Sequence, residues 1–329
     1  MRLTILLPAR DAAPTIDAAV ASLLAQTWTD FRLLALDDGS KDDTGAHLEA
    51  WARKDARVEV VHTGALGLVG ALNLGLARVD TPLLARMDAD DESLPTRLEK
   101  SVAALERGAL SGVGTGVEIF RDDRPPSPNL VAYGRWLSSL TSSELVFRDR
   151  FVESPLCHPS MTLVTEAVRA VGGWRDGAFP EDWELWLRLM EAGHRLACLP
   201  EVLHRWRDHD RRLTRQDERY SLERHLDLKA DYLSRCFPKV ILWGATDTGR
   251  GLSRRLRARG VTVRGFVELN PRKLGQRIHD LPVVAPDALE SLGDGHVLSC
   301  VAAKGARDDI REWFRAHGLK EGEHFTVVA

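Results

Sequence analysis

The sequence predicts an α/β protein in two parts: a doubly wound sheet with helices on both faces, then a smaller α/β unit. Three observations carry that expectation. Short apolar runs alternate with stretches whose apolar residues recur every three or four positions, the patterns of buried strands and amphipathic helices. The alternation becomes irregular in the middle of the chain and restarts near residue 240. Two apolar runs end in the acidic clusters Asp37-Asp38 and Asp88-Ala89-Asp90-Asp91, at strand carboxyl ends, where sheets of this kind hold ligands.

Residues 3–7 form a run that is apolar but for Thr4, as expected of a strand covered on both faces, and Pro8 stops it. Ile16, Ala19, Val20, Leu23 and Leu24 then lie at helical spacing, with Thr15 as the expected cap. Residues 31–36 read as the second strand, 44–54 as a helix, 58–61 as a strand, 69–78 as a helix and 83–87 as a strand. Residues 121–129 (RDDRPPSPN) read as a loop, 181–191 as a helix and 215–235 as a longer charged helix ended by Pro238. The domain boundary is placed there, giving 1–237 and 238–329. In the second part, 240–243, 261–267 and 297–301 read as strands, with a turn at 244–249 and a helix at 251–259. Together these make a small Rossmann-like unit.

With 329 residues there is room for two cores, and 44% hydrophobic with 28% charged residues excludes wholesale disorder. The net charge of -3 gives no basic footprint for nucleic acid. No apolar run approaches the ~20 residues of a spanning helix, and the first ten residues lack the basic start and cleavage site of a signal peptide. Cys157, Cys198, Cys236 and Cys300 are widely spaced and read as reduced thiols, so a cytoplasmic protein is expected.

The chemistry centres on the acidic clusters. Asp88-Ala89-Asp90 is a D-x-D motif whose carboxylates, two apart in extended chain, point the same way and can share one hard cation. Taken alone, the motif reads more readily as an acidic loop capping the helix near Pro95, and Asp37-Asp38-Gly39-Ser40 at least as readily as an Asx-type turn with a helix cap. Order and context add to this. LLPARD, then LLAQTWTDFRLLALDDGSKDDT, then GLVGALNLGLARVDTPLLARMDADDESLPTRLEK resembles the nucleotide-binding half of family 2 glycosyltransferases, over about residues 1–107. Looser likeness in LCHPSMTLVTEAVRAVGGWRD, FPEDWELWLRLMEAG and VLHRWRDHDRRLTR carries it to about residue 235. The ARMDADD and GALNLGL forms look like the bacterial branch that builds surface polysaccharides.

That resemblance implies a GT-A, nucleotide-diphospho-sugar transferase fold and an inverting, metal-dependent hexosyltransferase using Mn²⁺ or Mg²⁺. It implies nucleotide contacts from Pro8, Ala9, Arg10, Asp38, Gly67 and Asp88, with Asp38 accepting from the base, uracil in most relatives. It implies metal contacts from Asp90 and His209, and Asp182 as general base. His158 would shape the acceptor side or be a satisfied structural histidine. The segment 67–74 lacks the arginine many relatives direct at the diphosphate, and Arg86, Arg205 or Arg207 are the candidate replacements. The expected partners are a sugar-nucleotide donor and a glycan or lipid-linked acceptor. The basic stretch 205–215 reads first as a solvated face, with contact to a phosphate-bearing lipid acceptor at the inner face of the cell membrane as the alternative.

The C-terminal unit resembles Rossmann-like nucleotide-binding or sensor domains, although Thr246 stands where the G-x-G-x-x-G pattern has its second glycine and Glu268 ends the second strand. A ligand-free packing or self-association domain is the plainer reading. Two competing functions remain: a non-catalytic sugar-nucleotide-binding protein, and an NAD-linked oxidoreductase using this unit.

Overall fold

The computed structural model describes residues 1–303 and 305–329, which form two compact units. The first comprises Met1–Phe147, Pro155–Gly177 and Glu181–Gln216, and the second Arg148–Ser154, Ala178–Pro180 and Asp217–Ala329. The first contains an eight-stranded sheet whose strands are β1 (Leu3–Ala9), β2 (Phe31–Asp37), β3 (Val58–His62), β4 (Leu83–Arg86), β5 (Glu92–Ser93), β6 (Gly112–Phe120), β7 (Thr162–Val164) and β8 (Leu196–Arg207). Their order is β3-β2-β1-β4-β7-β6-β8-β5. The parallel half, β3-β2-β1-β4, matches the apolar runs, since β1 is buried along its whole length. Its neighbour helices are Ile16–Leu24, Thr44–Lys54 and Gly67–Arg78.

The other half departs from a parallel sheet, because β7 runs antiparallel to both β4 and β6. Its long strands β6 and β8 escape pattern reading for a local reason. Strand β6 carries Gly112, Gly114 and Gly116 at alternate positions, so one face of its first half has no side chains and the apolar run is broken at every second residue. Strand β8 contains Pro200 and Glu201, and the β6–β8 register slips beside Gly116, where a Cβ would stand 2.9 Å from the Glu201 carbonyl oxygen. The proline-rich loop also ends earlier than expected: Ser127 accepts from the Leu130 amide and starts a helix at Pro128–Ser139.

In the second unit the strands β9 (Lys239–Trp243), β10 (Thr262–Val267), β11 (Arg277–Ile278), β12 (Leu281–Val284), β13 (His296–Ser299) and β14 (Phe325–Val327) stand in the order β11-β12-β10-β9-β13-β14. All pairs except the β11–β12 hairpin are parallel. The charged helix spans Leu222–Cys236 and begins later than its composition suggests, since Asp217 and Ser221 each cap a new element. The compact units therefore divide between Gln216 and Asp217, and this helix stays with the second: the buried Lys229 ammonium donates to the carbonyls of Val152 and Val328. At the turn after β9, Glu268 Oε2 accepts from the Ala245 amide and from Lys273, so a carboxylate of the chain occupies the place where a dinucleotide would meet the backbone. Thr246 caps the helix Asp247–Ala258 through the Gly249 amide. Among the described residues no helix is long and apolar enough to cross a membrane.

Candidate active site

In the first unit the strand order reverses between β1 and β4, so the loops after β1, β2 and β4 gather at one sheet edge. Side chains of the second loop bind amides of the first: Ser40 takes the Asp11 amide at 3.1 Å, Thr44 the Ala12 amide at 2.7 Å and Asp42 the Ala13 amide at 3.0 Å. Thr15 makes no helix cap; its hydroxyl donates to the Ala89 carbonyl and ties the first loop to the acidic one. Pro8 and Ala9 are buried as the last residues of β1, and Arg10 is exposed beyond them.

Asp38, expected to meet the base, holds the chain itself. Its Oδ1 accepts from the Thr63 hydroxyl and the Leu66 amide, both at 2.6 Å, and its Oδ2 accepts from the Gly67 amide at 2.8 Å. Three of roughly four acceptor positions are thus filled, and the residue is 3% exposed. The carboxylate caps the helix Gly67–Arg78, which explains the geometry of DDGS. Gly39 has φ +70, and a Cβ there would lie 2.9 Å from the Ala65 amide nitrogen. Beside it, burial pushes the Asp37 carboxyl up, but hydrogen bonds from Ser40 and His62 outweigh this and lower its pKa.

The loop after β4 brings one carboxylate oxygen each of Asp88, Asp90 and Asp91 within 4.8 Å of one another. Their surroundings differ. Asp91, 1% exposed, accepts from the Arg207 amide at 2.8 Å and faces His204 Nε2 at 2.9 Å. Burial pushes its pKa well up, with Asp90 and Asp88 adding to the shift, and burial likewise pushes His204 well down. Among the described residues His204 Nδ1 has no hydrogen-bond partner, which is compatible with a neutral ring whose proton is on Nε2 and directed at Asp91. Asp91 therefore braces the cluster from behind. Asp88 is paired with Arg86, which is 2% exposed. Burial raises Asp88, against the opposing pull of Arg86. At Asp90 burial is outweighed by His209 and Arg212, and the carboxyl is lowered.

Asp90 Oδ2 lies 2.8 Å from His209 Nε2. Ligand atoms of an octahedral ion at 2.0–2.1 Å stand about 3 Å apart. Replacement of the shared proton by a cation would therefore need little movement. Carboxylate and imidazole are donors suited to Mn²⁺ and Mg²⁺, so the residues fit a divalent ion held by Asp90 and His209 with Asp88 beside them.

Asp182 sits in the first turn of the helix Glu181–Glu191, partly exposed, with Oδ1 accepting its neighbour Trp183's amide at 2.7 Å. Burial most of all pushes the Cys157 thiol up, with the negative charges of Asp91, Asp88 and Asp182 adding to the shift. His158 is the satisfied structural histidine of the two readings, its Nε2 accepting from Trp174 Nε1 at 3.1 Å and its ring packed against Trp174 and Trp186. Burial, then Arg86, keep it neutral by pushing its pKa well down.

A sequence profile of glycosyl transferase family 2 matches residues 4–172, more than half of the chain. The chain belongs to this family. It is 27% identical over 206 residues to the O-antigen biosynthesis glycosyltransferase WbnJ of Escherichia coli, covering 60% of this chain and 75% of that one. Among solved structures, S. aureus TarS 1–349 in complex with UDP-GlcNAc superposes with a TM-score of 0.57 at 15% identity, over 78% of this chain and 72% of the other. The mannosyltransferase PcManGT from Pyrobaculum calidifontis, in complex with GDP-Man and Mn²⁺, gives 0.55 at 16% identity, over 79% and 69%. These likenesses show the fold, the GT-A architecture expected from the motifs.

In this family 2 glycosyltransferase of surface-polysaccharide type, the three arginines expected to replace the missing diphosphate contact are all engaged. Arg86 is buried against Asp88. Arg205 pairs with Glu92 and Glu118, and Arg207 with Glu92, Asp122 and the Asp90 carbonyl. The basic stretch 205–215 is largely matched by acids, Arg215 bonding Asp208 and Asp210. What sequence reasoning missed are Asp91, His204 and Arg97, the buried layer under the cluster. Arg97 donates to the Arg86 carbonyl and lacks a carboxylate hydrogen-bond partner, and burial lowers its pKa to about 10. The available signal was the third acid of MDADD.

Proposed function

We propose that this glycosyltransferase is a metal-dependent inverting enzyme that transfers a sugar from a nucleoside-diphosphate donor, a UDP-sugar, to a hydroxyl of a glycan or lipid-linked acceptor. The observation that carries the reading is the meeting of Asp90 and His209 beside Asp88, at the strand ends where the family holds its nucleotide, with Asp182 in the first turn of the helix Glu181–Glu191. A divalent cation supplies positive charge to the departing diphosphate when bound. Asp90 and His209 would hold it. The loops of Pro8, Ala9 and Arg10 and of Thr63–Gly67 would flank base and ribose, Asp38 offering its last acceptor position to a base N–H.

Asp182 then accepts the acceptor's hydroxyl proton. The acceptor oxygen bonds to the anomeric carbon from the face opposite the nucleotide, and the bond to the diphosphate oxygen breaks with its electron pair staying on that oxygen. Inversion follows from the single displacement. Asp182→Asn keeps shape and removes the base. We expect nucleotide release from UDP-sugars, assayed with Mn²⁺ and a membrane lipid extract as acceptor source, to fall by about 10²–10⁴ while UDP binding is kept. Turnover near that of wild type would refute the base, and stabilisation by NAD alone, with none by UDP or GDP plus Mn²⁺, would refute the donor class.

A further inference from the structure

The diphosphate contact that the segment 67–74 lacks has a candidate that the sequence reading passed over. The Arg212 amide donates to the His209 carbonyl at 3.3 Å, so its side chain leaves the same turn that delivers His209 to Asp90. The guanidinium carbon stands 4.1 Å from the centre of the Trp206 ring, a cation–π contact that holds the group in place. The nearest carboxylate oxygen is Asp208 Oδ1 at 4.0 Å, beyond hydrogen-bond reach. Asp208 is already held by Arg215 at 2.7 Å and Arg121 at 2.9 Å. Among the described residues, the Arg212 guanidinium thus makes no hydrogen bond, although its side chain is only 12% exposed.

We infer that Arg212 is the residue of this chain that binds the donor's diphosphate. A planar cation with five N–H donors, mostly withdrawn from water and without an acceptor, is completed by an anion that presents several oxygens at once. Its position suits that task. The side chain leaves the turn whose His209 Nε2 stands 2.8 Å from Asp90 Oδ2, the pair that would hold the cation. Cluster and diphosphate are both negative, and a cation at Asp90 and His209 with Arg212 beside it would balance them from two sides. Arg86, Arg205 and Arg207 are held by their own acids and cannot turn to a ligand without breaking those pairs.

The inference rests on the proposed donor site, and its test keeps the two separable. Titration calorimetry with Mn²⁺ measures UDP and GDP on the whole protein, and saturation-transfer NMR measures the matching nucleosides, for wild type, Arg212→Gln and Arg212→Lys. Loss of a charge-assisted pair predicts about 10–100-fold weaker diphosphate binding for Arg212→Gln, with nucleoside binding unchanged. Arg212→Lys keeps the charge but not the fork, so its loss should be smaller. If the Gln variant does not fold, a diphosphate-selective loss in the Lys variant supports the assignment and its absence overturns it. Unchanged UDP affinity in Arg212→Gln, or an equal loss for uridine, shows a purely structural arginine and overturns it. If wild type binds neither diphosphate, the donor-site reading fails first and the inference falls with it.

Discussion

Replacing Asp38 with alanine separates a structural role from a ligand role, because the cost of each can be worked out in advance. The carboxylate accepts from the Thr63 hydroxyl and from the Leu66 and Gly67 amides, the last two at the start of the helix Gly67–Arg78. Loss of a capping side chain costs about 1–2 kcal/mol, and loss of a hydrogen bond to a charged acceptor about 1.5–3 kcal/mol. The residue is 3% exposed, so water replaces it poorly. A total of about 2.5–5 kcal/mol follows, equivalent to a fall of roughly 5–20 °C in a unit of this size. Asp38→Asn keeps one acceptor and should lose about half as much. Urea unfolding followed by tryptophan fluorescence reads the difference directly. An Asp38→Ala protein within about 0.5 kcal/mol of wild type, yet unable to bind nucleotide, would show that the carboxylate serves the ligand and not the loop.

Two further changes test the same corner of the fold. Gly39→Ala places a Cβ at φ +70 and 2.9 Å from the Ala65 nitrogen, which should cost about 1–3 kcal/mol; an unchanged midpoint in the same urea experiment would mean the two loops part freely. His62 has its pKa raised above 6.5 by its hydrogen bond to Asp37 first and that to Glu49 second. Its stabilising contribution is therefore complete below the unfolded pKa and fades as pH rises through the higher folded one. Because the ring is half exposed, the effect is small. Thermal midpoints of wild type and His62→Gln should differ most at acidic pH and converge at alkaline pH; a gap that widens with pH contradicts the pairing.

Much of the fold was legible where local pattern and tertiary role agree. Strands β1, β2 and β4 are largely buried and mostly apolar, and the more exposed β3 keeps Val58, Val60 and Val61, so the boundaries read off the sequence fall within about two residues of those observed. Strands β6 and β8 were not legible, since glycine in one and Pro200-Glu201 in the other reflect a bulge between them and not a local preference. The site divides in the same way. Asp88, Asp90, His209 and Asp182 could be named because they lie in short motifs, whereas Asp91 and His204 form a pair only when the sheet brings them together.

The sequence alone determined which segments become strands and helices, and which acids stand at strand ends, because those depend on periodicities within a few residues. It also carried the family, through motifs kept in order. Tertiary structure decided which side chains meet. His209 reaches Asp90 across 119 residues, and the Arg207 amide reaches Asp91 across 116, because β8 lies against β5 in a sheet whose order no local pattern encodes. The same folding paired most of the basic stretch with acids and left Arg212 stacked on Trp206, beyond hydrogen-bond reach of any carboxylate among the described residues, a distinction between identical residue types that arises only from distance and burial.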